Sequence, residues 1–378
     1  MSKSTSLSRW HSMTSPEEPG IWRYRNVLPI DRTLPAISLG EGNTPLLPSN
    51  QQGQGPAISF KMESANPTWS HKDRLASLGT SVARAQGAEA MIVGSSGNQG
   101  AAAAAYCARA GLPCIVLTTQ DIPPQMRIMI QAYGAMLCTV PTAADRGALI
   151  AEALLSKNWF ALSGYVDPPI GSNASAIPAY ATIAYELFEQ TSGDLPDVIV
   201  APTSHGDTLS GMWAGFTHLK ELFGLTRLPR LIAVEPFGSL ERTLREGSAV
   251  PLEGRQGETH ALSIAGRRST PRALKAVLDS GGTAIQTDDS AMSDAHRMMG
   301  AQGLFVEPSS AMAAGAVPAL IERGAIGSSE HAVVLVTSSG LKDPDYNADS
   351  WVEVPAISPT LTGLTRALES EYGFPQQG

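Results

Sequence analysis

Short, almost uninterrupted apolar runs alternate with longer alanine-rich stretches through the middle of the chain. Residues 90–94 (AMIVG), 114–118 (CIVLT), 136–140, 197–201 (DVIVA), 230–234 (RLIAV) and 331–336 (HAVVLV) are too short and too evenly apolar for amphipathic helices, and they predict buried strands. Between them, residues 99–110, 122–134, 143–156 and about 209–223 predict helices, with Gly111-Leu112-Pro113 as the stop signal of the first. Strands without a polar face, each followed by a helix, need cover on both sides, as parallel sheets have. The predicted fold class is therefore α/β. Ligands of such sheets bind outside the carboxyl ends of the strands, so the loops directly after strands are where chemistry is expected. The longest loops expected are residues 168–178 and 247–271, both rich in Gly, Pro, Ser and Thr.

Composition narrows the classes of partner. The 378 residues suggest two domains, at roughly 100–200 residues each. With 43% hydrophobic and 16% charged residues, disorder is excluded as the main theme. The 27 Lys and Arg against 35 Asp and Glu leave a net charge of −8, which is no footprint for a phosphate backbone or an anionic lipid surface. Neither nucleic acid nor membrane is expected as a partner. No apolar run approaches the roughly 18 residues of a membrane span, and residues 1–15 are polar and Ser-rich without the apolar centre of a signal peptide. A cytoplasmic location is the expectation. Cys107, Cys114 and Cys138 form no C-x-x-C pair and the histidines no H-x-x-x-H pair, so no metal is expected. No internal repeat is present, and alanines 101–105 read as a tightly packed helix.

Two segments carry candidate chemistry by residue type. Gly94-Ser95-Ser96-Gly97-Asn98-Gln99-Gly100 lies between a predicted strand and a predicted helix, where spare backbone N–H groups suit a carboxylate or another anion. It reads equally as an ordinary turn with a Ser or Asn cap. Its glycines do not fit G-x-G-x-x-G, although Asp121 after the next strand could imitate the ribose-binding acid of a dinucleotide site. The second segment, Thr68-Trp69-Ser70-His71-Lys72-Asp73-Arg74, precedes another helical stretch. A lysine there is ordinarily solvated, and a nucleophilic role requires a depressed pKa.

Gly40-Glu41-Gly42-Asn43-Thr44-Pro45-Leu46-Leu47, then Ser70-His71-Lys72-Asp73-Arg74, then Ser95-Ser96-Gly97-Asn98 running into AAYCARAGLPCIVL, together resemble the signature series of the fold-type II pyridoxal-phosphate enzymes, the tryptophan synthase beta-like superfamily. Val306-Glu307-Pro308-Ser309-Ser310-Ala311 and Thr337-Ser338-Ser339-Gly340-Leu341-Lys342-Asp343-Pro344 are similar to the threonine synthase group in particular, and the series covers about residues 36–345. The resemblance implies two parallel-sheet α/β domains with pyridoxal 5'-phosphate in the cleft between them. Residues 36–84 and 166–378 would form the large cofactor-binding domain, residues 85–165 a small domain inserted in it, and residues 1–35 an N-terminal extension. It further implies a homodimeric lyase that carries out β- or γ-elimination or replacement on a small amino acid. Threonine synthase proper, acting on O-phospho-L-homoserine and water, an amino-acid ammonia-lyase and, last, a catalytically silent homologue are the alternatives.

The resemblance also assigns residues. Lys72 would hold the cofactor as an internal Schiff base and then move protons at Cα and Cβ. Ser95, Ser96, Gly97, Asn98 and Gln99 would hold the substrate carboxylate, with Asn98 also touching the cofactor 3'-oxygen. Thr337, or Ser338 in a shifted register, would meet the pyridine nitrogen, and a neutral hydroxyl there favours elimination or replacement over transamination. The cofactor phosphate would sit on Ser204, His205, Gly206, Asp207 and Thr208. That turn departs from the V-G-N-A-G-N pattern of threonine synthases, since a carboxylate aimed at a phosphate is repulsive. Asp207 is expected to point away and cap a helix beginning near Leu209.

A second departure concerns the substrate. The segment that grips the substrate phosphate in threonine synthases, N-P-Y-R-x-E-G-Q-K-T, corresponds here to residues 173–182, with Ala176 at the arginine position and Ala181 at the lysine position. Gln99 replaces a hydroxyl residue common in the asparagine loop. Loss of a bidentate fork implies a substrate without a phosphate, or another arginine such as Arg267 or Arg268 in its place. Ser309 or Ser310 is expected to cap the helix that follows Glu307-Pro308, His71 to pack under the cofactor ring, and residues 10–24 to pack across the large domain or a partner subunit.

Overall fold

The computed structural model describes residues 3–50, 55–166, 170–346 and 353–374, in two compact units, Met1–Asp343 and Pro344–Gly378. The first unit opens with helix α1 (Lys3–Met13), strands β1 (Leu46–Pro48) and β2 (Ala57–Met62), and helix α2 (Lys72–Ala85). There follow β3 (Ala90–Gly94), α3 (Asn98–Ala110), β4 (Cys114–Thr119), α4 (Pro124–Ala132), β5 (Met136–Val140), α5 (Ala143–Ser156) and β6 (Trp159–Ser163). The chain continues through α6 (Ala181–Gln190), β7 (Val198–Pro202), α7 (Asp207–Phe223), β8 (Arg230–Glu235), α8 (Ser239–Glu246), α9 (Pro271–Asp279), β9 (Thr283–Gln286), α10 (Asp289–Ala301), α11 (Pro308–Gly315), α12 (Val317–Glu322) and β10 (His331–Val336). The second unit carries α13 (Leu361–Tyr372).

Two sheets result. One has the order β5-β4-β3-β6 and is parallel throughout. The other has the order β1-β2-β10-β7-β8-β9 and is parallel except for the short edge pair β1–β2. Its central strands are the most evenly apolar ones: every residue of β7, and all of β8 and β10 but the first, is buried. At the edges the pattern relaxes, as in β5 with its exposed Met136, and proline appears only as the last residue of a strand, at Pro48 of β1 and Pro202 of β7. The helix expected over 122–134 is shorter because Pro124 at its first position fixes the start. Helix α5 begins where expected, set by a capping box in which Thr142 and Asp145 satisfy each other's backbone N–H.

The N-terminal segment is part of the same core. Trp10 is fully buried against Tyr24, Tyr185, Phe188 and Phe223, and its indole N–H donates to Glu189 at 2.7 Å. It therefore packs on α6 and α7 of its own chain.

Candidate active site

Helix α2 is fixed in place by a cage of charges one side chain away from the site. Arg74 donates through Nε and Nη2 to both oxygens of Glu63 at 2.7 Å, and through Nη1 and Nη2 to Glu186 at 2.6 and 2.8 Å. Lys61 adds a 2.6 Å contact to Glu186, and the Asn43 N–H and Thr44 hydroxyl fill remaining acceptor positions at 2.7 Å. Burial pushes both carboxyls up, but Arg74 and Lys61 outweigh it and hold them below the usual carboxylate range. Asp73 ties the preceding turn to the helix by accepting from the Thr68 N–H at 2.6 Å and from its hydroxyl. The Gly40–Leu47 motif thus serves this cage and contributes nothing to the cavity wall described next.

The first residue of α2, Lys72, lines a cavity of about 640 Å³. The cavity lies outside the carboxyl ends of β3, β6, β7 and β10, where loop residues Gly94–Asn98, Gly164, Thr203–Asp207 and Thr337 meet. A β-bridge between Ser70 and Ser338 and a 2.9 Å bond from the His71 N–H to the Thr337 carbonyl anchor the lysine segment to the end of β10. Among the described residues the Lys72 amine makes no hydrogen bond or ion pair, and it lies 5.7 Å from the centre of the Tyr180 ring. Burial lowers its pKa, with Asp207 and Glu307 acting in the other direction. His71 is buried with its ring 5.6 Å from that of Tyr180, and burial followed by the Lys72 charge holds its pKa well below the ordinary value. It is a neutral neighbour of the amine at neutral pH.

The loop after β3 contributes Ser95, Ser96, Gly97, Asn98 and Gln99 to the wall. Gly97 is the N-cap of α3 and no side chain caps it, so the expected Ser or Asn cap is absent. Asn98 has another use. Its amide donates to Glu307 at 2.9 Å and its oxygen accepts from the Ser338 hydroxyl at 3.2 Å. The first N–H groups of α3 have no intrahelical partner by helix geometry, and the loop presents them at the cavity. Gln99 reaches Ser172 at 3.1 Å, and the Ser172 N–H in turn donates to Asp207 at 2.8 Å.

Ser204, His205, Gly206, Asp207 and Thr208 line the same cavity. Ser269 donates to the Ser204 carbonyl at 2.9 Å and Thr270 to the His205 carbonyl at 2.6 Å. Because a trans peptide points its N–H opposite to its carbonyl, the His205 and Gly206 N–H groups face away from those partners. Gly206 has φ +77°, and a Cβ there would collide with Ala273, so this turn can be this tight only with glycine. Gly206, with its left-handed φ, takes the cap position, and Asp207 is the first residue of α7. The expectation that Asp207 caps a helix beginning near Leu209 is corrected accordingly. Its carboxylate crosses to the 171–172 loop and lies 3.7 Å from Arg272, which offsets its charge.

At the end of β10, Thr337 is on the wall with its Oγ1 3.0 Å from that of Ser310, whereas Ser338 is off the wall and spends its hydroxyl on Asn98. Glu307, which drew attention only as part of a motif, lines the cavity and accepts from both Asn98 and Ser263, the latter at 2.7 Å. Burial raises its pKa. Neither Ser309 nor Ser310 caps α11; Glu307 is the N-cap and Pro308 the first residue, which leaves Ser310 free to meet Thr337 and the Ser338 N–H. Arg267 and Arg268 do not reach the wall: Arg267 pairs with Glu253 at 2.7 Å and Arg268 is exposed. Ala176 and Ala181 are buried in the core and also off this wall. Arg146, from the first turn of α5, is on it, and no sequence signal separates such an arginine from any solvated one.

These groups fit pyridoxal 5'-phosphate. A lysine without an ion pair and with a lowered pKa suits a carbonyl, and a tight turn opening a 17-residue helix suits a phosphate. Among the described residues no cluster of His, Cys, Asp and Glu could hold a metal, and no helix is long and apolar enough to cross a membrane.

The comparisons with known proteins agree with this geometry. A family model described as "Pyridoxal-phosphate dependent enzyme" matches residues 37–338. Threonine synthase of Methanocaldococcus jannaschii is 30% identical over 362 residues, covering 93% of this chain and 88% of that protein. Threonine synthase of Mycobacterium leprae is 30% identical over 369 residues, covering 96% and 99%. Among solved structures, the L-serine ammonia-lyase of Rhizomucor miehei superposes with a TM-score of 0.69 at 20% identity, covering 82% of this chain and 97% of that one. At that identity the likeness is one of fold.

Proposed function

The chain belongs to the pyridoxal-phosphate-dependent enzyme family and is a threonine synthase-like member of it, and on that premise we propose that it catalyses β- or γ-elimination or replacement on a small amino acid with Lys72 as its reactive amine. The observation that carries the reading is Lys72 itself, with no ion pair, a lowered pKa and a place on the wall of a cavity shared with two helix-opening loops. When bound, the cofactor supplies an electron sink that acidifies the bonds at the amino acid's Cα. Lys72, and the turn of Ser204, His205, Gly206 and Thr208, would hold it, with Thr337 at the ring nitrogen. Asp207 is drawn aside by Ser172 and Arg272, which relieves the repulsion its position would otherwise create. Ser95, Ser96, Gly97 and the N–H groups opening α3 would orient the substrate carboxylate. Glu307 and Ser338 hold Asn98 in one rotamer beside that loop. Lys72, once free, would move the proton at Cα and pass it to Cβ or to the leaving group.

A domain division at residues 85–165, a homodimer and a cytoplasmic setting belong to the same proposal. The separate four-stranded sheet within residues 90–163 supports the first. A titration of the purified holoenzyme against a panel of amino acids tests the reading of function, since productive ligands change the cofactor's absorbance near about 410 nm. Phosphate release from O-phospho-L-homoserine would identify threonine synthase activity, and ammonia with a keto acid from serine or threonine a lyase. No spectral response to any amino acid would overturn the proposal.

A further inference from the structure

Among the described residues, three side chains with a permanent or potential positive charge, apart from histidines, stand on the cavity wall: Lys72, Lys342 and Arg146. Lys342 is buried with its Nζ enclosed, near Asp73 and Glu307, so it is not presented to a ligand. Arg146 is half-buried, and among the described residues its side chain makes no hydrogen bond or ion pair. The exposed Asp121 is the acid in electrostatic reach, and across the cavity the guanidinium acts on His205. A guanidinium held partly out of water without a partner is costly unless a ligand completes it.

The surroundings are shaped for this side chain. Gly94 ends β3 and opens the loop to Ser95; its φ is not in the left-handed region, so the backbone does not require glycine there. Space does. A Cβ on Gly94 would lie 3.2 Å from both Cδ and Nε of Arg146 and 3.1 Å from Ile150. The capping box at Thr142 and Asp145 fixes the turn that carries Arg146, and Ala143, Ala144 and Gly147 of that turn also face the cavity.

We propose that Arg146 sets the substrate class by receiving a carboxylate at the far end of the amino acid, while the loop from Ser95 to Asn98 receives the α-carboxylate. The inference rests on the reading above that this cavity binds an amino acid. One planar fork without a second available cation matches a monoanionic carboxylate bidentately; a phosphate monoester dianion would call for more positive charge than the wall offers.

Titrations of the holoenzyme with L-aspartate against L-asparagine, L-glutamate against L-glutamine, and O-phospho-L-homoserine against L-homoserine test it, each followed by the cofactor spectrum. The acid should bind about 10- to 100-fold more tightly than its amide. Arg146→Gln should bring that ratio below about threefold, and Arg146→Lys should restore part of it. Equal binding of acid and amide by the unaltered enzyme overturns the inference, as does a preference confined to the phosphate ester. So does loss of cofactor from Arg146→Gln with the ratio unchanged, which would assign the arginine to the cofactor phosphate. If no amino acid alters the spectrum, it is the underlying reading of the cavity that has failed.

Discussion

Lys72 and Arg74 stand two residues apart at the start of α2, and their surroundings are opposites. Arg74 is fully buried among Glu63 and Glu186, with Lys61 completing a cage of two cations and two carboxylates whose hydrogen bonds are filled from the 43–44 turn. Among the described residues the Lys72 amine meets a ring face and the field of Asp207 and Glu307, with no hydrogen bond or ion pair. A closed set of charges cannot respond to a ligand, because every donor is already spent, but it can hold a helix start in one position. An open set is less stable by itself and is completed when something binds. The short spacing lets the cage position the amine without touching it. Glu235 shows what burial does without either: it accepts only backbone N–H groups from Leu240 and Glu241, and burial pushes its carboxyl up to about 8, in contrast to Glu186.

The contrast can be broken most severely at the lysine. Lys72→Ala should remove the absorbance near about 410 nm and lower turnover by at least about 1,000-fold, while urea denaturation of the cofactor-free protein moves by less than about 1 kcal/mol. The reverse pattern is expected for Arg74→Met. Removing the arginine leaves buried Glu63 without its cation and Glu186 with Lys61 alone, and denaturation should register a loss of about 3–5 kcal/mol. Glu307→Ala touches the open set indirectly, leaving the Asn98 amide without its acceptor and the Ser263 hydroxyl with Ser309 alone. Equilibrium dialysis should show cofactor affinity weakened by about 10- to 100-fold, with no change in which lysine reacts. The smallest effect sharpens the third case. Glu235 ionises in the unfolded chain at about 4.3, well below its folded value, so the wild type loses stability as pH rises from the former toward the latter. Glu235→Gln keeps the acceptor oxygen and should gain about 1–2 kcal/mol relative to wild type over that window, levelling off above about pH 8. A flat difference across pH 5–9 would contradict it.

The sequence made the parallel strands legible where they are mostly apolar: residues 90–94, 136–140 and 331–336 appear with those bounds. It hid β2 because that strand contains Lys61, a charge tolerable inside only through Glu186, 125 residues away. It hid β9 because four residues are too few for a pattern. The predicted site residues, read from a resemblance, line one cavity with the exception of Ser338. The uses of Asp207, Glu307 and Arg146 were not legible, since each depends on a partner or a vacancy brought from elsewhere in the fold: the 171–172 loop, Asn98 and Ser263, and the missing side chain of Gly94. Helix caps failed for a related reason. Ser310 and Asn98 are good capping residues by type, but tertiary partners claim their side chains.

The central claim is that Lys72 is the amine that holds the cofactor. Borohydride reduction of the yellow holoenzyme, followed by proteolysis and mass mapping, tests it most directly. The added cofactor mass is expected on the peptide containing Lys72 and on no other. Its appearance on Lys342, the other lysine of the cavity wall, or on no lysine would contradict the account.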